Sequence, residues 1–260
     1  MKKTRKDPGP LAGPASLQEK KASRGRGSVA PDRRVIRSLA MCGRFNLTDP
    51  SDIVERFGFM DWSDKRPEPR FNIAPSQEIL TIVQLPLHDP QVQTAIWGLK
   101  PFWLQKGKAP PINARVEALG SSAMFRDALR CLIPANGFYE WRQKQPMHIR
   151  RRDGKVFMFA GLWLPAGKSG GPATAAILTT RPNELMATIH TRMPAILRPE
   201  DELRWLDPLQ DPQLAAEPFP AELMEAYSVK PLVNSWENEG PELLAPASAE
   251  DQQPQQMSFL

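Results

Sequence analysis

The chain has 260 residues and a formal net charge of +5, from 34 Lys and Arg against 29 Asp and Glu. That length holds one large domain or two small ones with a substantial core. Two cysteines exclude a disulfide framework, and three histidines without zinc-like spacing exclude an ordinary structural zinc site. No apolar run nears the roughly 18 residues of a membrane-spanning helix, and Pro8, Pro10 and Pro14 interrupt the place where a signal peptide needs its apolar stretch.

The charge is unevenly spread. Residues 1–40 carry 11 basic and 3 acidic groups, leaving 23 basic against 26 acidic in the other 220 residues. Overall basicity is therefore no argument that the folded part binds nucleic acid; a local basic patch is required. Residues 1–40 also lack aromatic side chains and are rich in Lys, Arg, Gly, Pro and Ser. Such a segment buries too little apolar surface to offset the entropy of ordering, so it reads as a disordered basic extension. Three origins compete: an upstream start codon ahead of the true initiator, a removable pro-segment, or a DNA-attracting arm. The placement of Met41 directly before Cys42 favours the first.

Globular texture begins at Cys42. Cys42–Asn46 reads as a short strand, and Thr48 or Asp49 caps a helix running to about Phe57, with Gly58 as its stop. Glu78–Gln84 and Thr94–Trp97 read as strands around a turn at Pro86–Pro90. A helix is expected from Ser122 through Arg130. Strands follow at Cys131–Ile133, Gly137–Arg142, Met147–Arg150, Val156–Trp163 and Ala173–Thr180, the last two joined by a hairpin-type loop at Pro165–Pro172. Asn183–Ile189 and Pro199–Leu206 carry helix-capping signals, and the composition turns polar after Pro246. Many short strands and few helices predict an α+β fold with a mainly antiparallel, barrel-like sheet flanked by short helices. The expected organisation is an extension at 1–40, a domain at 41–245 and a flexible tail at 246–260.

Several segments set polar groups among apolar neighbours: Met41-Cys42-Gly43-Arg44-Phe45, Arg70-Phe71-Asn72-Ile73-Ala74-Pro75, Trp97-Gly98-Leu99 and Ile112-Asn113-Ala114-Arg115-Val116-Glu117. Three more are Pro134-Ala135-Asn136-Gly137-Phe138-Tyr139-Glu140-Trp141, Thr179-Thr180-Arg181-Pro182-Asn183 and Ile189-His190-Thr191-Arg192-Met193-Pro194. In this order the set resembles the SOS-response-associated peptidase (SRAP) family, whose members capture abasic sites in single-stranded DNA as covalent crosslinks. The resemblance runs from about Met41 to Leu244. It implies that Cys42, as the first residue of the mature chain, is the crosslinking nucleophile, and that Asn113, Glu140 and His190 complete the catalytic set. It further implies that Arg115 and Arg192 contact DNA phosphates, that Trp103 is an aromatic wedge, and that Pro75 and Thr179 line the same site. No cofactor or metal is implied.

The residues themselves make that chemistry intelligible. An amino-terminal Cys carries an amine and a thiol on adjacent carbons. The amine condenses with the open-chain aldehyde of an abasic sugar, and the thiol closes onto the imine carbon as a thiazolidine. The amine must be neutral to attack, which its ordinary range near 7.7–8.0 permits in part at neutral pH. Glu140 and His190 suit proton shuttling, whereas the Asn113 amide only holds and orients. Elimination of the 3′ phosphate from the imine is a lyase side reaction. With residues 1–41 attached, the Cys42 nitrogen is an amide and forms no imine.

Taken singly, these residues have blander readings: Glu140 as the outward position of a strand, His190 as a helix cap, Arg115 and Arg192 as ion-pair partners, Trp103 as core. Cys131 reads as a small core residue. A basic track for a single strand is assembled from Arg44, Arg70, Arg115, Arg150, Arg151 and Arg192, and His148 is placed on solvent or a DNA-facing strand. The tail Gln256-Met257-Ser258-Phe259-Leu260 resembles peptides by which bacterial DNA enzymes dock onto the replication sliding clamp; a frayed tail is the alternative. The competing functions are an abasic-site crosslinker, a cysteine-type autopeptidase that removes its own N-terminal segment, and a non-catalytic single-strand binder. A monomeric, cytoplasmic, nucleoid-associated protein with no membrane partner is expected.

Overall fold

Strand β9 (Phe157–Leu164) is buried at every position, and so is β10 (Thr174–Thr180). The unbroken apolar run Phe-Met-Phe-Ala-Gly-Leu-Trp-Leu requires that, because a strand covered on both faces has no use for alternation. The computed structural model describes residues 42–62, 67–122, 125–167, 170–248 and 251. The expected extension and the candidate clamp peptide Gln256–Leu260 lie outside the described residues.

β9 and β10 belong to a sheet whose pairings return on themselves. β3 (Glu78–Gln84) pairs with β4 (Pro90–Trp97) and with β6 (Leu129–Ala135); β6 pairs with β9; β9 pairs with β10; β10 runs parallel to β4. β5 (Asn113–Arg115) lies parallel to β10, with Asn113 opposite Ile177 and Arg115 opposite Thr179. β11 (Met193–Pro194) lies antiparallel to Thr179–Thr180. A second, five-stranded sheet has the order β12 (Met224–Ser228), β8 (Gln145–Arg151), β7 (Gly137–Arg142), β1 (Arg44–Leu47), β2 (Arg70–Ile73). The fold is α+β with a mainly antiparallel, barrel-like arrangement of strands.

The sheets are joined by aromatic packing. Phe45 of β1 meets Trp97 of β4 edge-on at 5.2 Å and Phe159 of β9 at 5.8 Å, while Phe138 of β7 lies 6.1 Å from Phe159. Such pairs add about 0.5–1.5 kcal/mol each beyond their burial. At Gly137 the five-stranded sheet leaves no room for a side chain: a Cβ there would stand 2.3 Å from His148 Nε2 of the neighbouring strand.

Helices are short. α1 (Ser51–Arg56) begins two or three residues after the expected caps, with Ser51 N–H donating to Asp49 Oδ1. α2 (Glu184–Ala187) is capped by Asn183, whose side chain accepts from Met186 N–H at 2.8 Å. α3 (Pro199–Leu206) matches its expected span and buries Trp205, whose indole N–H donates to Cys131 O at 3.1 Å.

Over its described residues, the helix expected from Ser122 through Arg130 does not form. Residues 125–128 make a short turn, and Leu129 and Arg130 already pair with Trp163 and Leu162 in β9. Ladder pairing across a buried sheet outweighs local helix propensity. Arg130 then caps the neighbouring loop, donating to Asp207 O and Gln210 O and stacking 4.5 Å over Trp205. β12 and the turn Pro231–Asn234 carried no sequence expectation.

Candidate active site

The chain enters β1 through Cys42, which the pairing of Arg44 with Tyr139 brings beside β7. Cys42 N–H donates to Glu140 Oε2 at 2.9 Å, and the other carboxylate oxygen of Glu140 accepts from Trp141 N–H at 3.1 Å. Both residues are buried, Cys42 completely and Glu140 to 6% exposure. Burial raises the Glu140 carboxyl above its usual range, and the two backbone N–H groups and nearby His190 pull it partly back. A carboxyl poised this way holds a proton more readily than an exposed one and can give it up locally.

The thiol behaves oppositely to an activated nucleophile. Burial pushes Cys42 well above the ordinary thiol range, the Glu140 charge pushes it further, and only the Arg44 carbonyl contact opposes. Cys42 also sits at φ +49°, the left-handed region that a side chain enters at a cost of about 1 kcal/mol or more. That angle is defined by the preceding carbonyl carbon. A chain starting at Cys42 has no such angle and bears no such cost.

His190 follows α2, and its N–H closes onto Met186 O at 2.8 Å. Its ring Nδ1 accepts from Arg192 N–H at 3.1 Å, so the neutral ring carries its proton on Nε2. Arg192 links this corner to β10 and β5. Its Nη2 donates to Thr179 O at 2.5 Å and to Thr179 Oγ1 at 3.3 Å, and its Nη1 and Nη2 grip Glu117 at 2.7 and 2.9 Å. Thr179 is buried, and its hydroxyl also donates to Ala114 O at 3.4 Å, beside half-buried Asn113 and exposed Arg115. Cys42, Glu140 and His190 thus form one neighbourhood, and Arg192, Thr179 and the Asn113–Arg115 strand adjoin it through His190.

The aromatic candidate stands apart on the loop after Trp97-Gly98-Leu99. Trp103 is 42% exposed and its neighbour Phe102 is 94% exposed. Trp97 itself is core, its indole N–H donating to Ile112 O. Gly98 has φ +137° and turns the chain between Ala175 O and Pro110, a conformation that calls for glycine. Half-buried Pro75 leads the tight turn tied to Trp97 by Ser76 N–H and Gln77 O.

The basic track does not assemble as expected. Arg44 is 3% exposed, and its guanidinium donates to Asn72 Oδ1, Val233 O and Asn234 O. Its donors are directed into the scaffold, so it offers no face to a phosphate, and burial lowers it to about 10. Arg70 serves Glu78 O and Gln77, Arg150 pairs with Glu225, and Arg151 with Asp153. His148 is also interior, at 1% exposure, with Nε2 2.8 Å from Asn46 Oδ1 and Nδ1 3.0 Å from the Tyr227 hydroxyl. Of the six arginines, Arg192 and Arg115 bring their side-chain charges to Glu117, in the corner that adjoins Cys42 through His190, whereas Arg44 touches Cys42 through its backbone carbonyl alone. Glu117 received no expectation, although its place two residues after Arg115 in the same motif was the available signal. Among the described residues no group of His, Cys, Asp and Glu gathers as a metal site, and no helix is long and apolar enough to cross a membrane.

Residues 41–236 match the family model for SOS response associated peptidase (SRAP). The chain is 42% identical over 222 residues to the abasic site processing protein YoqW of Bacillus subtilis, covering 78% of this chain and 99% of that one. It is 30% identical over 224 residues to the abasic site processing protein YedK of Escherichia coli, covering 79% and 100%. A crystal structure of a protein from Bacteroides thetaiotaomicron matches with a TM-score of 0.67 at 26% identity, over 80% of this chain and all of that one. The chain belongs to the SOS response associated peptidase family.

Proposed function

We propose that this protein processes abasic sites in single-stranded DNA by forming a thiazolidine crosslink through Cys42, in a form whose chain begins at that residue. The observation that carries the proposal is the 2.9 Å hydrogen bond from Cys42 N to the buried carboxylate of Glu140. Once residues 1–41 are absent, that nitrogen is a primary amine already seated against a proton-exchanging group.

The steps balance without a co-reactant. The neutral amine adds to the sugar aldehyde to give a carbinolamine. Glu140, whose burial favours its protonated form, gives a proton to the departing hydroxyl, and water leaves as the imine forms. The Cys42 thiol, kept protonated until then, transfers its proton to the Glu140 carboxylate or to His190 as its sulfur adds to the imine carbon. The ring nitrogen ends protonated or neutral, and one water is the only product released. The fixed spacing of amine, thiol and carboxyl supplies the rate advantage of an intramolecular closure. Asn113 orients the sugar, Arg115 and Arg192 hold flanking phosphates, and Trp103 packs against a base. Loss of the 3′ phosphate from the imine is the lyase side path that ring closure suppresses.

The thiol's environment favours this order over a cysteine peptidase. A peptidase thiol is active when a basic neighbour or a helix terminus lowers it; this one is raised by burial and by an adjacent carboxylate. On the same reading the protein acts at the nucleoid as a monomer and docks onto the sliding clamp through the sequence Gln256–Leu260, so deletion of those five residues should abolish a clamp pull-down.

Replacing Cys42 by Ser tests the main proposal. With the chain started at residue 42, Ser retains the amine and loses the sulfur, so a borohydride-trappable imine should replace the stable adduct. Undiminished stable crosslinking by Cys42→Ser would refute the thiazolidine, and unchanged reversible binding with no covalent product from the wild type would leave only a DNA-binding protein.

A further inference from the structure

Glu117 has no part in the chemistry above, yet it sits on one of the groups assigned to DNA. It lies in the single 3-10 turn Val116–Ala118 that directly continues β5. Its two carboxylate oxygens take Arg192 Nη1 at 2.7 Å and Nη2 at 2.9 Å. The pair is asymmetric in exposure: the Glu117 side chain is 56% exposed and that of Arg192 19%.

Building on the proposed DNA contact, we infer that Glu117 is a specificity-determining residue: its carboxylate occupies the Arg192 guanidinium in the free protein and gives way to a phosphate of the bound strand. Three observations lead there. First, the contact is two-pronged, and a carboxylate and a phosphate offer the same pair of oxygens to a guanidinium fork. Second, Arg192 is held from the inner side by Thr179 O and Oγ1, on a fully buried strand. Departure of Glu117 therefore leaves the guanidinium in place for the incoming anion. Third, the Arg192 hydrogen bonds, with smaller help from the charges of Arg192 and Arg115, hold the Glu117 carboxyl below the usual range, so the tethered anion feels both proposed phosphate ligands.

An exposed ion pair of this kind contributes little to folding. Its consequence falls on binding: any strand must outcompete an anion that is already present. A lesion-bearing strand goes on to form a covalent bond and is retained. An undamaged strand has only its reversible contacts, and the tethered carboxylate shortens its stay. Glu117 thus sharpens the preference for abasic over intact DNA.

The test uses the chain begun at Cys42, the form that the proposed crosslink requires, and an undamaged, fluorescently labelled oligothymidylate at low salt, with affinity read by anisotropy. Glu117→Gln keeps the size of the side chain and removes its charge. It should bind the intact strand about two- to fivefold more tightly, the scale of one released surface pair. Excess intact strand should compete against crosslinking to an abasic strand correspondingly better. The same substitution made in an Arg192→Gln background should have no effect, because its target is gone. Equal or weaker binding by Glu117→Gln would overturn the inference, as would a gain that persists without Arg192, which would mark general charge repulsion. Wild-type protein that binds oligothymidylate but forms no adduct with an abasic strand would refute the proposed crosslink while leaving these binding data to decide the role of Glu117.

Discussion

Replacing Glu140 by Gln separates proton transfer from shape. Gln fits the same buried space and keeps an oxygen to accept from the Cys42 nitrogen. Its amide group then meets Trp141 N–H donor to donor, so one of the two hydrogen bonds seen at Glu140 is lost. That loss costs about 1 kcal/mol. It is opposed by relief of a buried charge: because burial raises the Glu140 carboxyl, the folded protein binds its proton more tightly than the unfolded chain does, and stability contributed by that proton drains away as pH rises. Gln removes this penalty at neutral pH, so the variant should remain folded, within about 1–2 kcal/mol of the parent. The chemical step should suffer far more. General acid–base catalysis contributes about 10²–10⁴-fold, or roughly 2.7–5.5 kcal/mol of barrier. With the chain started at Cys42 and protein in excess over an abasic oligonucleotide, the first-order appearance of adduct on a denaturing gel should slow at least about 100-fold. Reversible affinity for an intact strand should stay within about threefold, since Glu140 faces the amine and not the phosphates. The wild-type rate should also show a limb above the ordinary carboxylate range that the variant lacks. A crosslinking rate within a few-fold of wild type would refute the assignment of Glu140 as the proton donor.

Two further outcomes follow from the buried polar groups. His148 is held neutral, lowered to about 3 by burial and by the charge of Arg150. A depressed folded value means that stability is present above the unfolded value near 6.5 and is lost as pH falls below it. Between pH 7.5 and 5 this single group should remove about 2 kcal/mol, a figure set by the unfolded state as long as the folded value stays well below 5. Urea unfolding of wild type and His148→Gln at both pH values should differ in pH dependence by that amount, and parallel behaviour would contradict the burial of a neutral ring. Arg44→Met should cost about 3 kcal/mol or more, because Asn72 Oδ1 and the Val233 carbonyl lose their buried donor. Its intact-strand affinity at a temperature where it is folded should match wild type; a large drop would restore Arg44 to the DNA-contacting set.

Much of the fold was legible because alternation and turn residues are local signals. Glu78–Gln84, Gly137–Arg142 and Pro199–Leu206 appear with the bounds read from sequence. Ser122–Arg130 failed because the partner that claims Leu129 and Arg130 is β9, some thirty residues downstream, and pairing at that distance leaves no local trace. β12 is a short edge strand whose place beside β8 is likewise fixed by tertiary contact. The motifs marked the right neighbourhoods but did not sort scaffold from chemistry. Asn72 ties Arg44 to the carbonyls of Ser235 and Asn238, Asn136 accepts from Thr48 and Asp49 N–H, and Asn183 caps α2. A polar residue in an apolar setting must be hydrogen-bonded whether it serves a substrate or a loop, and only coordinates tell which. Arg44 is the clearest instance. The adjacency of Cys42, Glu140 and His190, which come from three distant segments, is likewise a product of topology.

The most direct measurement is mass spectrometry of the adduct formed with an abasic single strand by protein made in its native host. After proteolysis and nuclease digestion, the account predicts a modified peptide that begins at Cys42, with the mass of the peptide plus the sugar remnant less one water, resistant both to borohydride reduction and to thiol alkylation. A crosslinked peptide that still carries Met41 or any earlier residue, or one in which the Cys42 sulfur remains free to alkylate, would contradict it.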